Sequence, residues 1–390
     1  MSKPKLGIAV VGLGGAVGTT MVAGIELLKR GLIGMNGLPL ATVSNSDLAD
    51  YPDIVFAGWD LFGDHLAKAA EGHDVLTHKQ FLAAEKTLRS IKPWPAIGDP
   101  NFVSNIEGEN KLKKNGHRET IKKLRGHLRQ FKDAAENIVT INLASTEKLA
   151  VEGNEVFNSI ESFEQALVEN SPAISPAMLY AYASICEGVP YGNFTPSVAA
   201  DITALVQLAE REGVSVAGKD GKTGQTFLKS VIAPALKSRA LKVEGWYSTN
   251  ILGNRDGLVL SDEDSLASKV KTKSSVLEDI LGYQVEDHIV DIRYYRPRGD
   301  NKEAWDNIDI TGFLGQPMQI KVNFLCKDSI LAAPLAIEIA RCLDLAKRRG
   351  QGGIQEQLSV FFKLPMTRGG RPEQAFHRQE TMLLDWLAAS

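Results

Sequence analysis

Leu6-Gly7-Ile8-Ala9-Val10-Val11-Gly12-Leu13-Gly14-Gly15-Ala16-Val17-Gly18-Thr19-Thr20 starts as an apolar run and turns abruptly into glycines. Beyond it Met21, Ile25 and Leu28 recur at helical spacing and Gly31 supplies a stop, so the stretch predicts a strand, a tight turn and a helix. The free N–H groups and positive dipole end of such a helix suit a pyrophosphate, with Gly12 and Gly14 allowing a backbone approach that a Cβ would block. The spacing departs from strict G-x-G-x-x-G: Val17 stands at the third glycine position and Gly18 follows one residue late. A tight turn without a ligand is the competing reading of the motif taken alone.

Further out, Asp53–Asp60 reads as a second apolar strand ending in Gly58 and Asp60. Ile138–Leu143 reads as a third, followed by Ala144-Ser145-Thr146-Glu147, a hydroxyl-rich helix start. Strands ending in Gly, Asp, Asn or Ser at one edge line the crevice of a doubly wound sheet. No Asp or Glu stands at a clear strand end about 20 residues past the glycines, where the ribose contact usually falls. The expected fold is therefore α/β, a Rossmann-like doubly wound parallel sheet.

The chain has 390 residues, which at roughly 150 per domain predicts two to three units. Lys and Arg number 44 against 47 Asp and Glu, a net charge of −3, so recognition of any charged ligand has to be local. Between Lys111 and Lys132 stand nine basic residues, but Ile121, Leu124, Leu128 and Phe131 run through them as an apolar stripe. That pattern reads as the solvated face of an amphipathic helix, and no nucleic-acid partner is expected. Cys186, Cys326 and Cys342 are widely spaced in apolar surroundings, as in a reduced, cytoplasmic protein. With no C-x-x-C or H-x-x-x-H spacing, no metal site is expected. The apolar run after the first residues is too short for a signal segment, and about 20 consecutive apolar residues occur nowhere, so no membrane partner is expected.

In the second half, Ser175–Val189 reads as an apolar helix stopped by Gly188 and Pro190, then Tyr191–Ser197 as a loop, and Val214–Gly218 as a strand. Gly221-Lys222-Thr223 resembles the end of a P-loop, but Val216 stands where the first P-loop glycine belongs, which excludes that reading. What remains is a strand end followed by glycines and hydroxyls at a helix start, a nest suited to an isolated phosphate. Asn250–Gly257 packs two amides, an acid and two glycines behind a strand, more polar chemistry than a hairpin turn requires. Lys269 and Lys273 are spaced to share a helix face, where two ammonium groups depress each other's pKa; a solvated basic face is the commoner cause of such spacing. From Val243 to Asp309 β-rich runs replace βα alternation. The expected division is 1–226 for the nucleotide-binding domain, 227–327 for an inserted α+β catalytic and oligomerisation domain, and 328–390 for a helical segment packing back on the first.

These motifs, taken in order, resemble the inositol-3-phosphate synthase (myo-inositol-1-phosphate synthase) family. They are Gly12–Thr20, Gly58-Trp59-Asp60, Ala144–Glu147, Glu187–Pro190, Ala217–Asp220 into Thr223–Thr226, Asn250–Gly257, Ser268-Lys269, Lys273-Ser274, Gly299–Lys302, Cys326–Ser329 and Lys363–Arg368. The resemblance implies NAD as cofactor and conversion of glucose 6-phosphate to inositol phosphate by oxidation at C5, enolisation, aldol closure and re-reduction. It implies a homotetramer as well. By the same resemblance Lys269, Lys302, Lys363, Lys273 and Asp328 are catalytic, with Lys269 the proton shuttle for the C5 hydroxyl and Lys302 and Lys363 stabilising oxyanions. Gly12, Gly14, Gly15, Ala16, Val17, Asp60, Ala144, Ser145, Asp220, Asn254, Asp256 and Asp328 are the implied cofactor contacts. Thr223, Gly224, Gln225, Asn250 and Lys273 are those for substrate. Ala16 and Val17 stand where many members have asparagines, so pyrophosphate contacts from that turn are expected from backbone alone. The shortened segment 192–197 leaves open a related cyclase acting on another sugar phosphate, and an ordinary sugar-phosphate dehydrogenase is the further alternative.

Overall fold

The computed structural model describes residues 5–43, 47–104, 107–113, 115–148, 153–253 and 276–389. Leu6–Val11 forms β1, buried along its whole length as an interior parallel strand must be. It pairs in parallel with β2 (Ile54–Asp60) on one side and β4 (Asn137–Asn142) on the other. With β3 (Trp94–Pro95), β5 (Tyr191–Asn193), β6 (Ser215–Gly218) and β11 (Gly353–Ile354) they make a parallel sheet in the order β11-β6-β5-β4-β1-β2-β3. Strand order reverses at β1, so the switch point lies between β1 and β4, directly beyond the glycine turn.

Helices cover both faces. On one, α1 (Ala16–Lys29), α2 (Leu66–His73), α3 (His78–Ser90), α9 (Asp328–Arg348) and α10 (Phe376–Ala388) enclose a core that includes Ile8, Ile25, Ile339 and Leu383. On the other, α4 (His117–Phe131), α5 (Ile160–Glu169), α6 (Pro176–Cys186) and α7 (Thr203–Arg211) pack around Leu124, Phe163, Met178 and Leu205. The stripe expected in the basic segment is the buried face of α4, formed by Ile121, Leu124, Leu128 and Phe131.

A second sheet has the order β10-β9-β7-β8, from β7 (Lys242–Leu252), β8 (Asp287–Tyr294), β9 (Asn301–Thr311) and β10 (Pro317–Lys327). β9 runs antiparallel to both of its neighbours, and β7 pairs β8 in parallel. Helix α8 (Gln225–Ser238) joins the two sheets: its first turn adjoins the end of β6, while Ala233 and Leu236 sit in the core of the second sheet with Trp246 and Ile308. The boundary anticipated at 226/227 thus falls inside a helix rather than in a linker.

Three local expectations are corrected. No helix begins at Ala144–Glu147; residues 143–148 are irregular because other elements hold Glu147 at both its backbone and its side chain. Its N–H donates to Ser197 Oγ at 3.0 Å and its carboxylate accepts from Ala177 N at 2.9 Å. The segment 191–197 is not all loop, since Tyr191–Asn193 form β5, inserted between β4 and β6. Glycine and asparagine have poor strand propensity, and the two flanking strands override it. Segment 328–390 is not purely helical, because Gly353 and Ile354 extend the parallel sheet.

Candidate active site at the junction of the two sheets

A cavity of about 330 Å³ lies where the carboxyl ends of the parallel strands meet β9 and the start of α9. Gly12, Gly15, Ala16 and Val17 line one side, with Asp60, Ala144 and Ser145. Gly12 has φ +86°, the left-handed conformation that makes a sharp exit from β1 possible. Gly15 caps α1 with no side-chain partner and no acidic residue follows in the first turn, leaving the helix start to backbone donors. Gly18 does the work of the displaced third glycine, for a Cβ there would lie 2.4 Å from the Leu13 carbonyl oxygen. Gly14 turns its N–H to Asp60 Oδ2 at 2.8 Å. Asp60 closes β2 beside β1, which is where the ribose-binding acid of this fold stands. The connection from α1 lengthens its separation from Gly14 to 46 residues, well beyond the roughly 20 of the usual pattern.

The opposite wall carries Asp220, Thr223, Gly224, Gln225 and Thr226, then Lys302, Asp328 and Lys363. Segment 361–364 runs along 219–222: Lys363 N donates to Asp220 O at 2.7 Å and Lys222 N to Phe361 O at 2.8 Å. That pairing sets Lys363 Nζ 2.6 Å from Asp220 Oδ1, a pair whose side chains are 9% and 5% exposed. Lys302 arrives from the second sheet. Lys302, Ala304, Asp306, Ile308 and Ile310 alternate onto the inner face of β9, and the lysine is the one at the cavity end. Its Nζ lies 3.4 Å from Asp328 Oδ1, which also accepts from Thr223 Oγ1 at 3.3 Å. Asp328 is the first residue of α9, and Asp300 fixes that start by accepting from Ser329 N at 3.2 Å and Ser329 Oγ at 2.7 Å.

Gly224 caps α8 without a side-chain hydrogen bond, so a second helix start opens into the same cavity. Thr226, absent from the expected site residues, has a buried hydroxyl with no hydrogen-bond partner among the described residues. Glu147 was also missed as a site residue: it borders the cavity, and burial pushes its carboxyl up to about 7 against the hydrogen bonds from Ser175 and Ala177. Asn250, expected against substrate, instead lies buried beneath Gln225 and donates to its side-chain oxygen. Lys269, Lys273, Asn254 and Asp256 lie outside the described residues.

Two glycine-capped helix starts facing one crevice, with Lys302 from β9 and Lys363 from the segment beside residues 219–222, belong to an enzyme of the doubly wound dinucleotide-binding class. A family model described as myo-inositol-1-phosphate synthase, of an NAD-binding type, matches residues 39–388. An inositol-3-phosphate synthase from Bacteroides thetaiotaomicron is 43% identical, over 93% of this chain and 90% of its own. One from Saccharomyces cerevisiae is 31% identical, over 99% of this chain and 85% of its own. The crystal structure of inositol-3-phosphate synthase from Caenorhabditis elegans superposes with a TM-score of 0.93 at 27% identity, covering 100% of this chain and 86% of that one. The chain belongs to the myo-inositol-1-phosphate synthase family.

Proposed function

We infer that the protein is an NAD-dependent inositol-3-phosphate synthase, an isomerase-class enzyme that converts glucose 6-phosphate to 1D-myo-inositol 3-phosphate. The observation that carries this reading is the single cavity onto which the α1 start, the α8 start and two ion-paired lysines converge. The residues fit NAD: the uncapped first turn of α1 offers backbone N–H groups to a pyrophosphate, and Asp60 stands where a ribose hydroxyl is held. Bound there, NAD would supply the hydride acceptor and, once reduced, the hydride donor, leaving the overall change an isomerisation.

The protein's own groups bind, orient and move protons. Backbone donors at Gly224–Thr226, with the hydroxyls of Thr223 and Thr226, take the substrate phosphate. Asp220 holds Lys363, and Asp328 holds Lys302, with the ammonium groups at the cavity wall where oxyanions form during enolisation and ring closure. Lys269 remains our assignment for the proton of the C5 hydroxyl, with Lys273 beside the phosphate and Asn254 and Asp256 ordering the nicotinamide end. Cys186, Cys326 and Cys342 are all free thiols, and no helix among the described residues is long and apolar enough to cross a membrane. The free thiols support a cytoplasmic setting. We assign the outer face of the second sheet, where Ile289 and Leu325 are exposed, to assembly as a homotetramer.

The deciding experiment supplies purified protein with NAD+ and glucose 6-phosphate and follows both inositol phosphate and NADH. Product is expected without net NADH. NADH accumulating with turnover would make the protein a dehydrogenase, and product from another hexose phosphate alone would make it a different cyclase.

A further inference from the structure

Gln225 is the first residue of α8, yet its carboxamide does not serve the cavity that the helix start faces. Its Nε2 donates to Asp306 Oδ1 at 3.2 Å, and its Oε1 accepts from Asn250 Nδ2. Both partners belong to the second sheet, Asn250 on β7 and Asp306 on β9. Asp306 is 1% exposed, and the same carboxylate oxygen also accepts from Trp246 Nε1 at 2.8 Å and Ser248 Oγ at 2.6 Å. One turn further along α8, Lys229 is equally buried; its Nζ lies 2.7 Å from His288 Nε2 and 5.7 Å from the Trp246 ring centre. A carboxylate buried so completely demands compensation, and three donors with an ammonium on the neighbouring turn provide it.

A carboxylate is an acceptor only, whereas a carboxamide is an acceptor at one end and a donor at the other. Placed under Gln225, Asp306 therefore admits one orientation of that side chain, NH₂ toward Asp306 and oxygen toward Asn250. Released from this clamp, the side chain of Gln225 has a cavity beside it, and its carbonyl oxygen would be repelled by a phosphate at the helix start. We propose that Asp306 is a positioning residue of the phosphate subsite: it holds the Gln225 carboxamide against the second sheet so that the first turn of α8 presents only donors to the substrate phosphate. The proposal rests on the reading of Gly224–Thr226 as the phosphate loop. It also links phosphate affinity to the second sheet, because Asn250 and Asp306, which hold the Gln225 side chain, both come from there.

The test uses the full-length protein with NAD+ bound, measuring affinity for glucose 6-phosphate and for inorganic phosphate by calorimetry, beside steady-state kinetics. Asp306→Asn can present an NH₂ group to Gln225 and undo the orientation, so KM for glucose 6-phosphate and Kd for phosphate should each rise about tenfold, with a smaller fall in kcat. NAD+ affinity should be unchanged. A merely structural Asp306 would instead lower kcat and NAD+ affinity together and leave the ratio of phosphate affinities near one. Gln225→Glu is the companion variant if Asp306→Asn does not fold. Its carboxylate faces Asp306 and is driven toward the cavity, and phosphate binding should be lost. Wild-type protein that binds neither glucose 6-phosphate nor phosphate would overturn the phosphate-loop reading itself. Wild-type binding with unchanged affinity in Asp306→Asn, or in Gln225→Glu should that be the variant that folds, would overturn only the role given to Asp306.

Discussion

Lys363 and Asp220 form a buried ion pair. Removing one partner of a buried ion pair typically costs about 3–5 kcal/mol. Lys363→Met should therefore both destabilise the fold by that order and cut turnover, by roughly 10²–10⁴ if it supplies acid–base or oxyanion help. Adding Asp220→Asn should recover much of the stability and none of the activity; denaturant melts beside product assays separate the two. Glu147 supplies a pH signature. Burial raises its carboxyl from the usual 4.5 to about 7, so between those values the folded protein holds a proton that the unfolded chain has released. Stability from this group is greatest below pH 4.5, falls as pH rises to about 7 and is level above that. Glu147→Gln keeps an oxygen acceptor for Ala177 N and should remove that decline, so its margin over wild type should widen from pH 4.5 to 7 in parallel melts.

Among the elements, α10 is tied to the segment that leads into α8 through Lys222. This lysine is 3% exposed; its Nζ donates to Gln379 on α10 and stands 6.0 Å from the Phe376 ring centre. Burial lowers it from 10.5 to about 7, so between those values the unfolded chain carries the proton and the folded one does not. The penalty is full below pH 7 and shrinks as pH rises toward 10.5, which means that stability from this group increases with pH across that window. Lys222→Met should be more stable than wild type near pH 7 and lose the advantage by pH 10, while loosening α10. Faster amide exchange along residues 376–388 would register the loosened tether. Neither the tether nor the burial is legible in Gly221-Lys222-Thr223. The elements themselves are more readable: the apolar run of β1 and the stripe of α4 each depend on residues a few positions apart. β5 was read as loop because its three residues become a strand only between two others.

For the whole molecule, the second sheet buries one face against α8 and residues 276–281, with Trp246, Leu277 and Ile308 in its core. Its other face shows Tyr247, Ile289 and Leu325, with Phe313 and Leu314 exposed at the β9–β10 turn. Exposed apolar residues gathered on one sheet mark an association surface. Light scattering should report four chains for the native protein and a smaller species for Leu325→Lys combined with Ile289→Lys. A monomeric wild type would refute the assembly assigned to this face.

The sequence by itself determined that β1 enters a glycine turn and a helix, that a second glycine-capped helix start follows β6, and that β-rich runs replace βα alternation after residue 242. Each of these rests on local sterics and periodicity, which a short window of residues encodes. Only the tertiary structure decided that Asp60 closes on Gly14 across 46 residues, that Lys363 meets Asp220 across 143, and that Gln225 turns away from its cavity toward Asp306. Such meetings depend on which elements pack together, and that choice is made by apolar burial summed over three core clusters rather than by the residues that meet.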